Sequence, residues 1–146
     1  AWLFRATSRF YPLSLKTCYR PLSTIPLLAL FAGARDLSVS KFALLSPYVE
    51  EVNAPLRVAF AKAGLSTDAF GTFGEANEAK VVRISNRSIV EAACELGADA
   101  QVEAVFLSCT NLRTQAAIPE IRAQIGKPVL SSNQTLAWHM NRLNAT

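Results

Sequence analysis

The stretch Ala104-Val105-Phe106-Leu107-Ser108-Cys109-Thr110-Asn111 decides the fold prediction. Its first half is a short apolar run, which is typical of a strand buried on both faces of a sheet. Its second half is small and polar, so the strand is expected to end at Ser108 and to lead into a turn. The stretch therefore predicts a central strand over 104–108 with a thiol where the strand ends.

Strand-like and helix-like segments alternate on both sides of this stretch. The predicted strands are 39–45, a weaker 65–73, 104–108 and 128–131, and the predicted helices are 50–63, 88–96, 119–125 and 133–143. In the helix 50–63, we expect Pro55 to delay the regular start and Asn53 to cap the N-terminus. The alternation predicts an α/β fold, with a Rossmann-like, mostly parallel sheet and helices on both of its faces.

Polar clusters follow three of the predicted strands. They are Ser46-Pro47-Tyr48, Ser108-Cys109-Thr110-Asn111 and Ser131-Ser132-Asn133-Gln134. In open parallel sheets, ligands bind beyond the carboxyl ends of the strands, so the clusters predict a binding site at that edge. Ser, Thr and Asn also cap helices after strands, and the pattern alone leaves both interpretations open.

Cys109 is the candidate catalytic residue. Placed between a strand and a helix, its thiol would lie at a helix N-terminus, which favours the thiolate. The backbone N–H groups of Thr110, Asn111 and Leu112 would then cradle a carboxylate, and the thiol would move a proton at the neighbouring carbon or attack it. The alternative is that Cys109 is a small buried apolar residue, as we expect for Cys94 on its helix.

Two further side chains have open interpretations. Tyr48 follows a strand and a proline, so its hydroxyl is expected either to donate a hydrogen bond to a carboxylate or to be the wet end of a half-buried ring. His139, beside Trp138, is interpreted as a packing or surface residue. The sequence contains neither a dinucleotide or phosphate glycine fingerprint nor a Gly-x-Ser-x-Gly elbow.

Composition narrows the possible classes. The chain has 146 residues, about half of them hydrophobic, which fits one domain with a sizeable core. Its net charge is +4, but residues 1–41 carry +5 and the remainder −1, so no basic face for nucleic acid is expected. The longest apolar stretch, 25–34, is too short for a membrane span.

Cysteine usage gives a further expectation. Three cysteines are an odd number, which argues against a disulfide scaffold and for a reducing, cytoplasmic compartment. With a single histidine and no Cys-x-x-Cys pair, no metal site is expected.

Residues 1–22 are predicted to be an irregular basic leader, and residues 23–146 the α/β lobe. The leader is rich in Arg, Ser and Leu, as an organelle transit peptide is, and 25–34 has the outline of a secretory cleavage site. The interpretation that we favour is a remnant of a longer protein or an unrelated extension.

Three ordered motifs carry a resemblance to a known family. They are Ser46-Pro47-Tyr48-Val49-Glu50-Glu51-Val52-Asn53, then Ser108-Cys109-Thr110-Asn111-Leu112-Arg113-Thr114, then Gly126-Lys127-Pro128-Val129-Leu130-Ser131-Ser132-Asn133-Gln134. In this order, the chain from about Thr24 onward resembles the aspartate/glutamate racemase superfamily, and within it the branch of maleate cis-trans isomerases and arylmalonate decarboxylases.

The resemblance implies an enzyme of two similar Rossmann-like lobes, each giving one catalytic cysteine to the cleft between them, without a cofactor. It implies that Cys109 is the cysteine of the second lobe and that Tyr48 hydrogen-bonds a substrate carboxylate. Thr110 and Asn111 would line the same pocket. Asn77, in the loop before Val81, would be a further substrate-binding residue.

Two departures from the family pattern modify these expectations. Asn111 stands where glutamate racemases carry a histidine, which disfavours amino-acid racemisation. The family's first-lobe cysteine lies well upstream of the Pro-Tyr motif in a Cys-Thr-Ser-like turn, which Cys18-Tyr19-Arg20-Pro21 does not match. We therefore expect most of the first lobe to be missing from this chain.

The expected function is that of a cofactor-independent isomerase or racemase, incomplete in this chain. It would act on a small carboxylate or dicarboxylate through cysteine proton transfer or covalent addition. The alternatives are a cofactor-free decarboxylase of malonate-type acids and an inactive carboxylate-binding half-domain. No nucleic-acid or membrane partner is expected, whereas a homo-oligomer or self-association is, because a lobe without its partner exposes the apolar surface that they share.

Overall fold

The computed structural model describes residues 23–145, so the predicted leader 1–22 and its Cys18 lie outside the described residues. Ten elements follow one another along these described residues: α1 (Pro26–Asp36), β1 (Phe42–Ser46), α2 (Glu50–Lys62), β2 (Phe70–Thr72), α3 (Glu78–Val81), α4 (Asn86–Gly97), β3 (Ala104–Leu107), α5 (Ala117–Ile125), β4 (Val129–Ser131) and α6 (Ser132–Asn144). Each predicted strand and helix is represented in this order.

The four strands form one parallel sheet in the order β2-β1-β3-β4. The central strands β1 and β3 are buried along their whole length. Their register pairs Leu45 with Leu107 at the carboxyl end, so the segments that follow both strands leave the sheet side by side. The segments after β2 and β4 flank them. The predicted parallel α/β architecture is therefore confirmed.

Alternate residues of the central strands pack into two cores, one on each face of the sheet. Ala43, Leu45, Val105 and Leu107 face a core that includes residues of α4 and α5. Phe42, Leu44, Ala104 and Phe106 face the other, which includes residues of α1 and α2. Helices thus cover both faces, which explains why the strands are apolar runs without alternation.

The helix α1 is an element that the sequence analysis did not predict. Pro26 stands at its start, a position that tolerates the missing N–H, and Leu30 and Ala34 are buried against the sheet. Gly33 faces α6, where an added Cβ would lie 3.6 Å from Thr135 Cγ2. The helical period was hidden because almost every residue of 25–34 is apolar, so no polar face marks the turns.

The expectation for Asn53 and Pro55 is wrong. The helix α2 begins at Glu50, with Val49 as its N-cap and two glutamates in its first turn, and Pro55 lies inside it. Asn53 is fully buried, and its amide donates to the Tyr48 carbonyl at 2.7 Å and to Thr72 Oγ1 at 3.3 Å. Its side chain therefore anchors the turn after β1 instead of capping the helix.

Two smaller differences concern the region after α2. Only 70–72 of the predicted strand 65–73 is a strand, and an isolated bridge joins Lys41 to Ser66. The short α3 was not predicted, and its N-cap is Asn77. Over residues 23–145, no helix is both long and apolar enough to cross a membrane.

Glu103 ties the start of β3 to the start of β1. Its Oε2 accepts hydrogen bonds from the backbone N–H groups of Ser40, at 2.7 Å, and Lys41, at 3.0 Å. The N–H of Ser40, and after it that of Lys41, lowers the pKa of the Glu103 carboxyl, because both bonds stabilise the charged form. The carboxylate thus joins two adjacent strands at the edge of the sheet opposite to the polar clusters.

We expect Glu103→Gln to lower the melting temperature at pH 7. A folded-state pKa below the unfolded value of about 4.3 contributes stability that is present above that value. This stability is lost as the pH falls through the folded-state pKa, so the two proteins should converge in strong acid. Thermal unfolding followed by circular dichroism between pH 7 and pH 3 measures this. Glu95→Gln, which replaces an exposed carboxyl on α4, is the control. If the melting temperatures of Glu103→Gln and the unchanged protein differ by the same amount at pH 7 and pH 3, the expectation is contradicted.

Candidate functional site

The carboxyl edge of the sheet brings together residues from three polar segments. Tyr48 follows β1, Cys109 and Asn111 follow β3, and Ser132 begins α6 directly after β4. Tyr48 packs against the buried cluster that contains Cys109. The segments that follow β1, β3 and β4 thus converge at this edge, as predicted.

Cys109 has an uncommon backbone conformation. Its φ is +97°, a region that residues with a side chain rarely adopt and that costs about 1–3 kcal/mol. The side chain is only 5% exposed, and the backbone N–H donates to Ser132 Oγ at 3.1 Å. Such conformations persist only where the surroundings hold them, and they are concentrated at functional sites.

As predicted, Cys109 lies between a strand and a helix. The helix that follows it, α5, begins at Ala117, and the intervening residues 110–116 are not helical. The helix whose first residue contacts Cys109 is α6, through Ser132. The chain turns away from the sheet after Cys109 because its positive φ redirects the backbone.

The peptide group between Thr110 and Asn111 is held at both of its ends. Its N–H, from Asn111, donates to Cys109 Sγ at 3.2 Å, and its carbonyl, from Thr110, accepts from Asn133 Nδ2 at 2.9 Å. The predicted cradle for a carboxylate therefore directs one of its N–H groups at the sulfur. A hydrogen-bond donor aimed at a thiol is well placed to stabilise negative charge on it.

Tyr48 is fixed by its backbone and packs against the buried cluster that contains Cys109. Its N–H donates to Ser46 Oγ at 3.3 Å, and its carbonyl accepts from Asn53 Nδ2 and from Thr72 Oγ1. Burial is the main cause that raises the pKa of the Tyr48 phenol, and the neighbouring side chains of Cys109 and Glu78 raise it further. The phenol is therefore kept protonated and able to donate.

Glu78 is a residue at this edge that sequence reasoning missed. It lies in the first turn of α3, and its Oε2 accepts from Asn111 Nδ2 at 2.8 Å. The contact joins residues 33 positions apart, and no spacing rule in the sequence predicts it. Ser132 was noticed only as part of a polar cluster, since its contact depends on the pairing of β3 with β4.

Asn77 lies beside this group and is exposed. Its side-chain carbonyl accepts from the N–H of Ala79 at 2.9 Å and caps α3, while its own N–H donates to Glu75 Oε1 at 2.9 Å. Thr110 is exposed and contributes its carbonyl to the bond with Asn133. These are the positions of the last two predicted site residues.

Other candidate side chains lie away from this edge. Cys94 packs against the core on α4, and burial raises the pKa of its thiol. His139 Nδ1 lies 2.8 Å from Thr24 Oγ1, and its ring stacks on Trp138. Among residues 23–145, no three His, Cys, Asp or Glu side chains are grouped so that they could hold a metal ion.

Two surface depressions also lie elsewhere. One, of about 600 Å³, borders α2 and includes Arg57 and Asp68 among its lining residues. The other, of about 450 Å³, lies between α1 and α6 and includes Leu37 and Trp138. Neither is lined by Tyr48 or Cys109, which stand at an open edge of this lobe.

The chain is similar to proteins of known activity over most of its length. The family model described as arylmalonate decarboxylase matches residues 16–146. The arylmalonate decarboxylase of Bordetella bronchiseptica is 30% identical over 118 residues, which are 79% of this chain and 48% of that protein. The chain thus spans about half the length of this curated relative.

Solved structures share the fold. An unliganded arylmalonate decarboxylase is 28% identical with a TM-score of 0.72, over 81% of this chain and 52% of the other. A maleate cis-trans isomerase of Nocardia farcinica with a covalently bound succinylcysteine intermediate is 24% identical with a TM-score of 0.74, over 80% and 48% of the two chains.

We expect Tyr48 to ionise at a higher pH than an ordinary tyrosine, whose pKa is about 10. Titration of tyrosinate absorbance, compared with Tyr48→Phe, should assign the last-titrating component to Tyr48. Cys109→Ala should move that component only part of the way back, because burial is the larger cause of the shift. Because the folded-state pKa is raised, the associated stability is present below about pH 10 and is lost above it. If Tyr48→Phe instead loses a component that titrates at about pH 10, like an ordinary tyrosine, the expectation is contradicted.

Proposed function

The chain belongs to the arylmalonate decarboxylase family, and on that premise we propose that residues 23–146 are the cysteine-bearing lobe of a cofactor-independent enzyme. This enzyme moves a proton at the carbon next to a carboxylate of a small acid. The predicted leader 1–22 falls outside the described residues, and the family model matches the chain from residue 16 onward. The observation that carries the proposal is the buried Cys109 thiol, held at positive φ at the carboxyl edge of a parallel sheet, in a cluster against which Tyr48 packs.

Cys109 is the residue that transfers the proton. It belongs to the buried cluster against which Tyr48 packs, and its sulfur accepts a hydrogen bond from the N–H of Asn111. Tyr48 donates to the substrate carboxylate, because a phenol that stays protonated remains a donor near a negative charge. Thr110, Asn111 and Asn77 line the carboxylate pocket.

Decarboxylation of a malonate-type acid is the reaction that this arrangement supports best. The bond between the α-carbon and one carboxyl group breaks, carbon dioxide leaves, and the electron pair remains as an enediolate. Cys109 gives its proton to the α-carbon, and the resulting thiolate takes a new proton from water. The step needs one acid on one face of the substrate, and Cys109 is the only cysteine described at this edge of the sheet.

Isomerisation or racemisation of a small carboxylate remains the second candidate. It uses the same thiol as acid or base, but it needs either a second proton-transfer group on the opposite face or a thiol that adds covalently to a cis-enedioic acid. The likeness to the maleate isomerase supports the fold of such an enzyme. The 30% sequence identity to the arylmalonate decarboxylase of Bordetella bronchiseptica favours the first candidate.

The cellular setting is also part of the proposal. Cys94 and Cys109 are free thiols, which fits a reducing compartment such as the cytoplasm. The substrate is a small carboxylate or dicarboxylate.

A chimera provides the test of the reaction. The half of the Bordetella bronchiseptica relative that the chain does not cover is fused to residues 23–146, and the chimera is supplied with an arylmalonate in D₂O. We expect carbon dioxide release with one deuterium at the α-carbon. Cys109→Ser should lower the rate by about 100-fold or more, the typical contribution of a general acid.

Cys94→Ser is the matched control and should retain the rate. A chimera that melts cooperatively without turnover, or one that Cys109→Ser leaves unchanged, contradicts the proposal. Conversion of maleate without carbon dioxide release from the arylmalonate would favour the second candidate instead.

We expect this lobe to self-associate in isolation. Val52, in the first turn of α2, and Val82, directly after α3, are each 39% exposed. Analytical ultracentrifugation should show a species heavier than the monomer, and Val82→Asp should shift it toward the monomer. Met140→Asp, a 50% exposed position far along α6, is the control. A monomer at micromolar concentration would contradict this expectation.

A further inference from the structure

The first turn of α6 contacts the backbone on both sides of the Cys109 sulfur. Ser132 and Asn133 are its first two residues, and they follow directly after β4. Ser132 is 4% exposed, whereas Asn133 is exposed. Neither residue belongs to the carboxylate pocket proposed above.

Ser132 holds the peptide group that precedes the sulfur. The N–H of Ser108 still continues the sheet by donating to the Leu45 carbonyl at 2.9 Å, but the N–H of Cys109 leaves the ladder and donates to Ser132 Oγ at 3.1 Å. This bond fixes the direction in which the backbone enters its positive φ. Without it, a buried N–H would be left unpaired at a strained residue, and the turn would relax.

Asn133 holds the peptide group that follows the sulfur. Its Nδ2 donates to the Thr110 carbonyl at 2.9 Å. Because the carbonyl and the N–H of one planar peptide group point in opposite directions, this contact turns the Asn111 N–H toward Cys109 Sγ, 3.2 Å away.

We propose that Ser132 and Asn133 are positioning residues that hold the Cys109 sulfur in its reactive orientation. The inference rests on the proposed role of Cys109 in proton transfer. Neither side chain touches the substrate, and each acts through a backbone group next to the thiol. Through these two residues, the segment where β4 leads into α6 would position the thiol at the end of β3.

The test is the rate at which iodoacetamide alkylates Cys109, followed by peptide mass spectrometry at a pH on the plateau of the rate profile. We expect Ser132→Ala and Asn133→Ala each to accelerate alkylation about fivefold, since losing one hydrogen bond changes the population of an open turn by that order. Ser132→Thr keeps the hydroxyl acceptor and should restore the slow rate.

Two matched controls separate positioning from general loosening. Ser131→Ala removes a buried helix cap, whose Oγ accepts from the N–H of Gln134 at 3.3 Å, without touching Cys109. Cys94 in each variant reports opening of the core. If Ser131→Ala accelerates Cys109 as much as Ser132→Ala does, or if Cys94 accelerates equally, the inference is overturned.

The catalytic consequence is measured in the chimera. Ser132→Ala should lower kcat about fivefold with KM nearly unchanged, because the variant misplaces the thiol and leaves the carboxylate pocket intact. If the chimera decarboxylates and Ser132→Ala leaves its kcat unchanged, the inference is overturned. The alkylation experiment needs no substrate, so failure of the proposed reaction would leave its result readable.

Discussion

The end of β3 imposes the constraint on which the rest of the site depends. There the chain must leave a fully buried parallel strand, and it does so through Cys109 at a φ of +97°. Glycine would adopt this conformation without strain, but a glycine would bring no sulfur. The strain is compensated by neighbouring contacts, chief among them the bond between the Cys109 N–H and Ser132. A thiol held in this way projects from the rigid sheet and not from a free loop.

The surroundings of the thiol combine burial with hydrogen-bond donors. Tyr48 is kept protonated mainly by burial, with a further contribution from the neighbouring Cys109 and Glu78 side chains. Glu78 in turn accepts from the Asn111 side chain, while the Asn111 backbone donates to the sulfur. The side-chain amide and the backbone N–H of Asn111 are thus both paired within the protein. In the proposed function, the protonated phenol of Tyr48 supplies the donor to the substrate carboxylate.

The sequence predicted those parts of the fold that local patterns encode. The strand 104–107 is entirely apolar. The polar clusters 46–48, 108–111 and 131–134 follow from the same argument, because the carboxyl ends of parallel strands lie at one edge of the sheet. By contrast, α1 has no polar face to reveal its period, and Asn53 resembles a cap although it is a buried anchor. The positive φ of Cys109 could not be predicted from the local sequence, because glycine is the residue type that indicates such a conformation. The contact with Ser132 spans 23 residues and exists only when β3 and β4 are paired.

The decisive measurement is a crystal structure of the chain with a bound arylacetate, the product of the proposed reaction. We expect the carboxylate within hydrogen-bond distance of the Tyr48 hydroxyl and the Thr110–Asn111 turn. We also expect the α-carbon to face Cys109 Sγ, with Cys109 still at positive φ. A carboxylate bound elsewhere, or a Cys109 side chain turned into the aliphatic core with the Tyr48 phenol pointing away from it, would contradict these expectations.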